Sequence, residues 1–534
     1  MNPFDYTQPF ASRRSPVMGG RGAVATSHPL AAQAGMRMLL AGGNAIDAIL
    51  ATAAALTVVE PTSNGLGSDA FALVWDGKQL HGLNASGRAP GALTPEVFAR
   101  QGLEAVPTEG WLPVTVPGAV SAWAELSRRF GSMPLSEVLK PAIEYAEEGH
   151  PVPPVIAGYW KAAERRFAGR EDFRQAFLPG GRAPRPGEIF RFPEQARTLR
   201  LIGESGGEAF YRGELAEAVA RYAAATGGYL TLDDLASHRA EWVNPIKTSY
   251  RGFDVWEIPP NGQGLAALIA LNILEGFEIS KLPQLSAREL HLVIEALKLA
   301  FADAHAYIAD PAMVQVPTGE LLGKEYASRR RAEIRPDEAI VEPTPGVPHE
   351  GDTVYLCAAD GEGRMVSYIQ SNYMGFGSGV VVSGTGISLQ NRGAGFTLQE
   401  GHPNRLAPGK RPYHTIIPAF ITRGDQPLAA FGVMGGDMQP QGHVQVVIGL
   451  VDYALNPQAA IDAPRVRVLG GPQVALEPAI NPETVRQLAG LGHKAKVDPE
   501  MAGFGGGQMI WRDPDSGVLI CGSEPRKDGQ AIAW

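Results

Sequence analysis

Cysteine is nearly absent from this chain: there are two in 534 residues, Cys357 and Cys521. Two thiols exclude a disulfide framework and a cysteine-based zinc site. Both are expected to be buried core residues. Runs of one charge sign are also missing. The formal net charge is -9, and no block of Lys or Arg is long enough to track a phosphate backbone, which argues against nucleic acid as a partner. The longest apolar run, Ala45 to Val59, contains Asp47 and is too short to span a bilayer, which argues against a membrane partner. Met1 to Arg14 is polar and lacks the apolar core of a signal peptide, so the expectation is a soluble, cytoplasmic protein. No G-x-x-x-x-G-K-[ST] stretch is present, which removes a nucleotide phosphate loop. No H-E-x-x-H and no close histidine pair points to a metal, and no metal or organic cofactor is expected.

What is present is ordinary globular composition, 44% apolar and 19% charged. The 64 glycines and 43 prolines are scattered through turns, as a sheet-rich fold with tight connections requires. Length alone, at about 150 residues per domain, suggests three or four domains. Helical spacing runs over 28–41 and 45–58, with Asn44 as the cap of the second helix. Further helices are expected over 119–130, 135–148, 214–226, 233–242, 265–274 and 287–308. Strands are expected over 70–75, 114–118 and 253–258. Residues 334–350 carry four prolines, at 336, 343, 345 and 348, and form the best linker in the chain. Beyond it strand-like runs dominate, over 354–359, 365–370, 380–382, 419–422, 428–433, 508–511 and 518–521. Two helices, 439–454 and 482–491, interrupt them.

That change of character falls at Gly351-Asp352-Thr353, where a loop stops and a strand starts. Cutting the Asp352–Thr353 bond would give Thr353 a free α-amine beside its hydroxyl, and the amine is then the base that activates the nucleophile. A D-T-V triplet by itself reads as a β-branched strand opening. A second nucleophile pattern, Gly203-Glu204-Ser205-Gly206-Gly207, matches G-x-S-x-G. It follows a helical, charged segment rather than a buried strand, so the nucleophile-elbow mechanism does not apply.

Several segments together resemble the γ-glutamyltranspeptidase family of N-terminal-nucleophile hydrolases. They are Gly42-Gly43-Asn44-Ala45-Ile46-Asp47-Ala48, Val116-Pro117-Gly118, Gly227-Gly228-Tyr229-Leu230-Thr231, Tyr250-Arg251-Gly252 and Glu295-Ala296-Leu297-Lys298. Phe376-Gly377-Ser378-Gly379, Arg411-Pro412, Gly435-Gly436 and Glu524-Pro525-Arg526-Lys527-Asp528-Gly529 complete the set. Their order covers the chain from about residue 22 to its end. The resemblance implies an α+β, four-layer αββα sandwich built jointly by two fragments of a self-cleaved precursor, residues 1–352 and 353–534. It implies Thr353 as nucleophile in self-cleavage and then toward substrate, and Ser371 as the hydroxyl that positions the terminal amine. It also implies Gly435 and Gly436 as the backbone N–H pair that receives the oxyanion, where glycine permits close approach.

Departures from the family pattern bear on substrate. The D-x-R-E-x-A-P segment reads Asn84-Ala85-Ser86-Gly87-Arg88-Ala89-Pro90, with Ser86 in the arginine's place and Arg88 two residues on. The N-N-Q-x-x-D-F segment reads Gln390-Asn391-Arg392-Gly393-Ala394-Gly395-Phe396, so the aspartate that receives an α-amine has become Gly395. The Ser-Ser pair after R-P has become His414-Thr415. An ammonium without an anionic partner is costly to bury, whereas arginine grips a carboxylate with two parallel hydrogen bonds. The segment 397–410 is short beside relatives that carry a lid there. These features are similar to the branch with oxamate amidohydrolases and glutaryl-cephalosporin acylases. They imply an amide substrate whose acyl group bears a carboxylate, with Arg88, Ser86, Arg392, Tyr373, His414 and Thr415 lining its pocket. Alternatives are a glutathione hydrolase or γ-glutamyltransferase proper, and an unprocessed homologue retained for binding. The expected partner is the chain's own other fragment, as a heterodimer or a higher oligomer.

Overall fold

The helix Pro29–Leu40 begins where His28 caps it, its Nδ1 accepting the Leu30 N–H at 3.1 Å. Asn44 and Asp47 form a reciprocal capping box for the helix Ala45–Val59, which satisfies two otherwise unpaired donors. Alanine keeps that helix slim, and all 15 of its residues are buried. In the computed structural model, which describes residues 14–341 and 352–534, it packs on the centre of a seven-stranded antiparallel sheet. The strand order there is Gln530–Ala533, Gly22–Thr26, Asp352–Asp360, Met365–Tyr373, Asp69–Trp75, Leu80–Asn84, Glu241–Val243.

A second seven-stranded antiparallel sheet runs Val17–Gly19, Leu519–Ser523, Gly506–Arg512, Gln426–Met434, Ala419–Arg423, Phe253–Glu257, Ile246–Tyr250. Strand alternation assigns each residue a face. Val354, Leu356 and Ala358 join the helical core of 29–59 and 119–126. Tyr355, Cys357 and Ala359 join a core shared with Phe420, Ala430, Ile510 and Cys521 of the second sheet. Helices Gly264–Leu274, Ala287–Tyr307 and Met438–Val451 pack with the second sheet's remaining apolar residues. Both cysteines are buried free thiols. The fold is therefore mixed α/β with two large sheets. Both sheets contain strands from either side of the Asp352–Thr353 bond, so neither stretch completes a sheet alone. This sets aside the three or four domains that length suggests.

Several local expectations need correction. Residues 114–118 form no strand; the Val116 N–H bonds the Arg88 carbonyl instead. The helix expected over 135–148 is two, Leu135–Val138 and Lys140–Glu148, because Pro141 has no N–H to continue the first. The segment 233–242 holds only the short helix Leu232–Ser237, capped by Thr231 as expected, before the strand Glu241–Val243. Ser205 follows the helix Pro193–Glu204 and donates to the Leu201 carbonyl at 2.6 Å, a helix-end contact. The prolines at 343, 345 and 348 lie outside the described residues. No described helix is long and apolar enough to cross a membrane.

Candidate active site

Thr353 sits at an irregularity in the pairing of Asp352–Asp360 with Met365–Tyr373, where the register shifts between Asp352 and Val354. Such bulges re-aim a side chain. Its Oγ1 is buried 3.1 Å from Ser371 Oγ and 3.4 Å from Gln439 Nε2. Ser371 Oγ also accepts the Tyr373 N–H at 2.8 Å. Tyr373 ends its strand at φ +78, a left-handed conformation that costs about 1–3 kcal/mol in a non-glycine residue. That strain turns the chain toward Met374 and places the Tyr373 ring against the Arg392 guanidinium, 4.0 Å from ring centroid to Cζ.

Gly435 and Gly436 connect the strand Gln426–Met434 to the helix Met438–Val451 with φ +123 and +58. L-residues with a side chain rarely take these values. Gly435 also lines a cleft of about 460 Å³ with Thr62, Thr108, Tyr159, Arg166 and Met374. The second residue of that helix, Gln439, accepts the Ile417 N–H through Oε1 while its Nε2 faces Thr353.

Arg392 is 1% exposed. Its Nη1 donates to Thr415 Oγ1 at 2.7 Å, while Nε and Nη2 have no partner among the described residues. Burial lowers its pKa to about 10, against the field of Tyr373, Asp69 and Asp437, so the group stays cationic at neutral pH. His414 Nε2 lies 3.1 Å from Asp69 Oδ2, both fully buried. Burial pushes the His414 ring well below its ordinary pKa and raises the Asp69 carboxyl to about 7. A neutral imidazole whose Nδ1 faces the Ile416 N–H donates from Nε2 to Asp69.

Of the expected pocket residues, Thr353, Ser371, Tyr373, Arg392 and Thr415 form one connected set, with His414 behind it on Asp69. Ser86 and Arg88 do not join it. Ser86 Oγ donates to Asn84 Oδ1 at 2.7 Å. Arg88 bonds Asp310, Glu241 and the Gly409 carbonyl, so its guanidinium is engaged in a structural ion cluster shared with Arg411. Gly395 fits its position sterically: a Cβ there would lie 2.7 Å from the Tyr413 carbonyl oxygen. Gln439, Asp69 and Asp437 were not singled out from sequence. The first was findable as the residue three past the glycine pair, on the first turn of a helix.

One cluster has the makings of a metal centre. His291, Glu295 and His493 bring ligand atoms within 4.8 Å of one another. His291 and Glu295 lie four apart on the helix Ala287–Tyr307, a spacing readable in the sequence. These atoms are already hydrogen-bonded: His291 to His493 at 2.8 Å, Glu295 to Lys298 at 2.7 Å, and both to the backbone of 335–340. The adjacent ammonium of Lys298 opposes a cation, and the cluster reads as a buried hydrogen-bond network.

Two sheets share one core, which carries the buried hydroxyl pair of Thr353 and Ser371, and Gln439, on the helix that follows the glycine turn, reaches Thr353. The chain belongs to the γ-glutamyltranspeptidase family, whose model matches residues 31–534. It is 37% identical to the glutathione hydrolase-like YwrD proenzyme of Bacillus subtilis (strain 168), over 97% of this chain and 99% of the relative. It is 36% identical to the oxamate amidohydrolase proenzyme of Klebsiella pneumoniae, over 96% of this chain and 98% of the relative. The crystal structure of a cephalosporin acylase from Bacillus halodurans superposes with a TM-score of 0.96 at 55% identity, covering 100% of this chain and 99% of that one. The protein is thus an enzyme of this family, of the amide-hydrolysing acylase type.

Proposed function

We propose that the chain is a self-processing amidohydrolase or acyltransferase with an N-terminal threonine, acting on amides whose acyl group carries a carboxylate of the oxamate or glutaryl type. In the precursor, Thr353 Oγ1 attacks the Asp352 carbonyl, and hydrolysis of the resulting ester frees the Thr353 α-amine. That amine then takes the Oγ1 proton as the hydroxyl attacks the substrate carbonyl. The N–H groups of Gly435 and Gly436 hold the oxyanion. The amine returns the proton to the leaving nitrogen, and water or an acceptor amine resolves the acyl-enzyme. Residues 1–352 and 353–534 remain one unit, a four-layer αββα sandwich, and need no cofactor.

The observation that carries the acyl preference is Arg392: a buried cation with two donor nitrogens unpartnered among the described residues, stacked on Tyr373, whose own N–H bonds the Ser371 hydroxyl beside Thr353. A buried unmet donor costs about 1–3 kcal/mol, and a carboxylate satisfies both at once. Arg88 and Ser86 are left out because their polar atoms are already committed. The names of the oxamate and cephalosporin relatives point the same way. A second reading rests on Asp437: its charge acts on Arg392 and would suit an α-ammonium, as in a γ-glutamyl substrate.

Assay of oxamate, a glutaryl anilide and glutathione separates these readings. The leading one expects the first two to be preferred; turnover of glutathione alone defeats it. On a denaturing gel, Thr353→Ala should stay a single 56.8 kDa chain. Splitting of that variant at the same bond would remove Thr353 as the nucleophile.

A further inference from the structure

We infer that Gln263 is a positioning residue that couples recognition of the substrate carboxylate to the oxyanion donors. This rests on the reading of Arg392 as the carboxylate clamp. Gln263 is fully buried, and its amide lies between the two halves of the site. Nε2 donates to the Thr415 carbonyl at 2.6 Å and to the Gly436 carbonyl at 2.9 Å. Oε1 accepts the Tyr413 hydroxyl at 2.9 Å. Thr415 is the residue whose hydroxyl holds Arg392 Nη1, and Gly436 is the second of the glycine pair. One side chain therefore joins the residue that aims the cation to the turn that aims the oxyanion donors.

The backbone leaves that amide one place to be. The Gln263 N–H donates to the His414 carbonyl, and the His414 N–H to the Asn261 carbonyl, each at 2.9 Å. A Cβ at Gly262 would lie 2.7 Å from Ile258 Cγ2, and one at Gly264 would lie 2.6 Å from Glu257 Cβ. The Gly-Gln-Gly turn is thus pressed against the end of the strand Phe253–Glu257. Hydrogen bonds in so dry a setting polarise one another and resist breaking.

The kinetic consequence is specific. Only contacts that strengthen in the transition state raise kcat. A carboxylate seated on Arg392 fixes Thr415, and through Gln263 it fixes the Gly436–Asp437 peptide, the unit next to the one that carries the Gly436 N–H. Its binding energy is then realised at the reacting carbonyl, in kcat as well as in KM.

The test compares glutaryl and butyryl anilides, which share a carbon chain but differ in the carboxylate, on the processed enzyme and on Gln263→Met. In the unaltered enzyme the carboxylate should lower KM and raise kcat about tenfold or more. In Gln263→Met the KM advantage should persist while the kcat advantage falls to about twofold or less. A structural role alone would depress both anilides equally, and a kcat advantage that survives in Gln263→Met overturns the coupling while leaving Arg392 in place. Equal turnover of both anilides by the unaltered enzyme overturns the Arg392 reading and the coupling with it. Should Gln263→Met fail to fold or process, Tyr413→Phe removes the bond to Oε1 and keeps both donor bonds. It should cut the kcat advantage about threefold, and an unchanged advantage there overturns the inference.

Discussion

Two buried arginines show opposite uses of the same side chain. Arg526, in the closing Glu-Pro-Arg-Lys-Asp-Gly segment, has all its nitrogens engaged. Nε and Nη2 grip Glu477 at 2.6 and 2.9 Å, Nη1 grips Glu524 at 2.6 Å, and backbone carbonyls of 461 and 463 take the remaining hydrogens. These carboxylates raise its pKa despite burial. Among the described residues, Arg392 has one hydroxyl partner, two unpartnered donor nitrogens and a lowered pKa. A guanidinium that the protein itself satisfies holds the fold. On the function proposed above, one left short of partners among the described residues is prepared for a ligand that supplies them.

The largest effect expected from this contrast is on stability at Arg526. Arg526→Met strands the buried Glu477 and leaves Glu524 with Arg465 as its remaining cation, and it should cost about 3–5 kcal/mol in a denaturant melt. Arg392→Met should leave the melt nearly unchanged yet lower kcat/KM for a glutaryl amide by about a hundredfold, through two lost charge-assisted bonds. Equal melts for the two variants would erase the distinction. Acid should sharpen it. Burial alone would raise the Glu524 carboxyl, but Arg465 and Arg526 outweigh it and hold it at about 2. A depressed carboxyl lends stability that is present above its unfolded pKa near 4.5 and lost as pH falls toward 2. The loss is on the order of 3 kcal/mol, and Glu524→Gln should flatten that part of the stability profile. The smallest effect belongs to Arg88, 32% exposed in its side chain. Arg88→Met should cost about 1 kcal/mol of stability and leave the acyl preference intact; a lost preference would return it to the pocket.

Much of this was legible in local sequence. Asn44 and Asp47 announce a capped helix at a spacing of three. Gly435-Gly436 before a helical run announces a turn that only glycine permits. The change from helical to strand-like spacing marks Thr353. What sequence did not yield depends on distant partners. Arg88 reads as a free cation until Glu241 and Asp310, 153 and 222 residues away, are folded against it. Gln263 looks like any loop amide until the chain returns at 413–415 and 436. The break near Leu139 was missed because the apolar spacing of two short helices merges into one stripe.

The central claim is that the active form of this enzyme begins one of its chains at Thr353. N-terminal sequencing of the purified, active protein tests it most directly. The account predicts two starting sequences, one of them Thr-Val-Tyr-Leu. Full activity from a single unbroken chain, or a second start at any other residue, would contradict it.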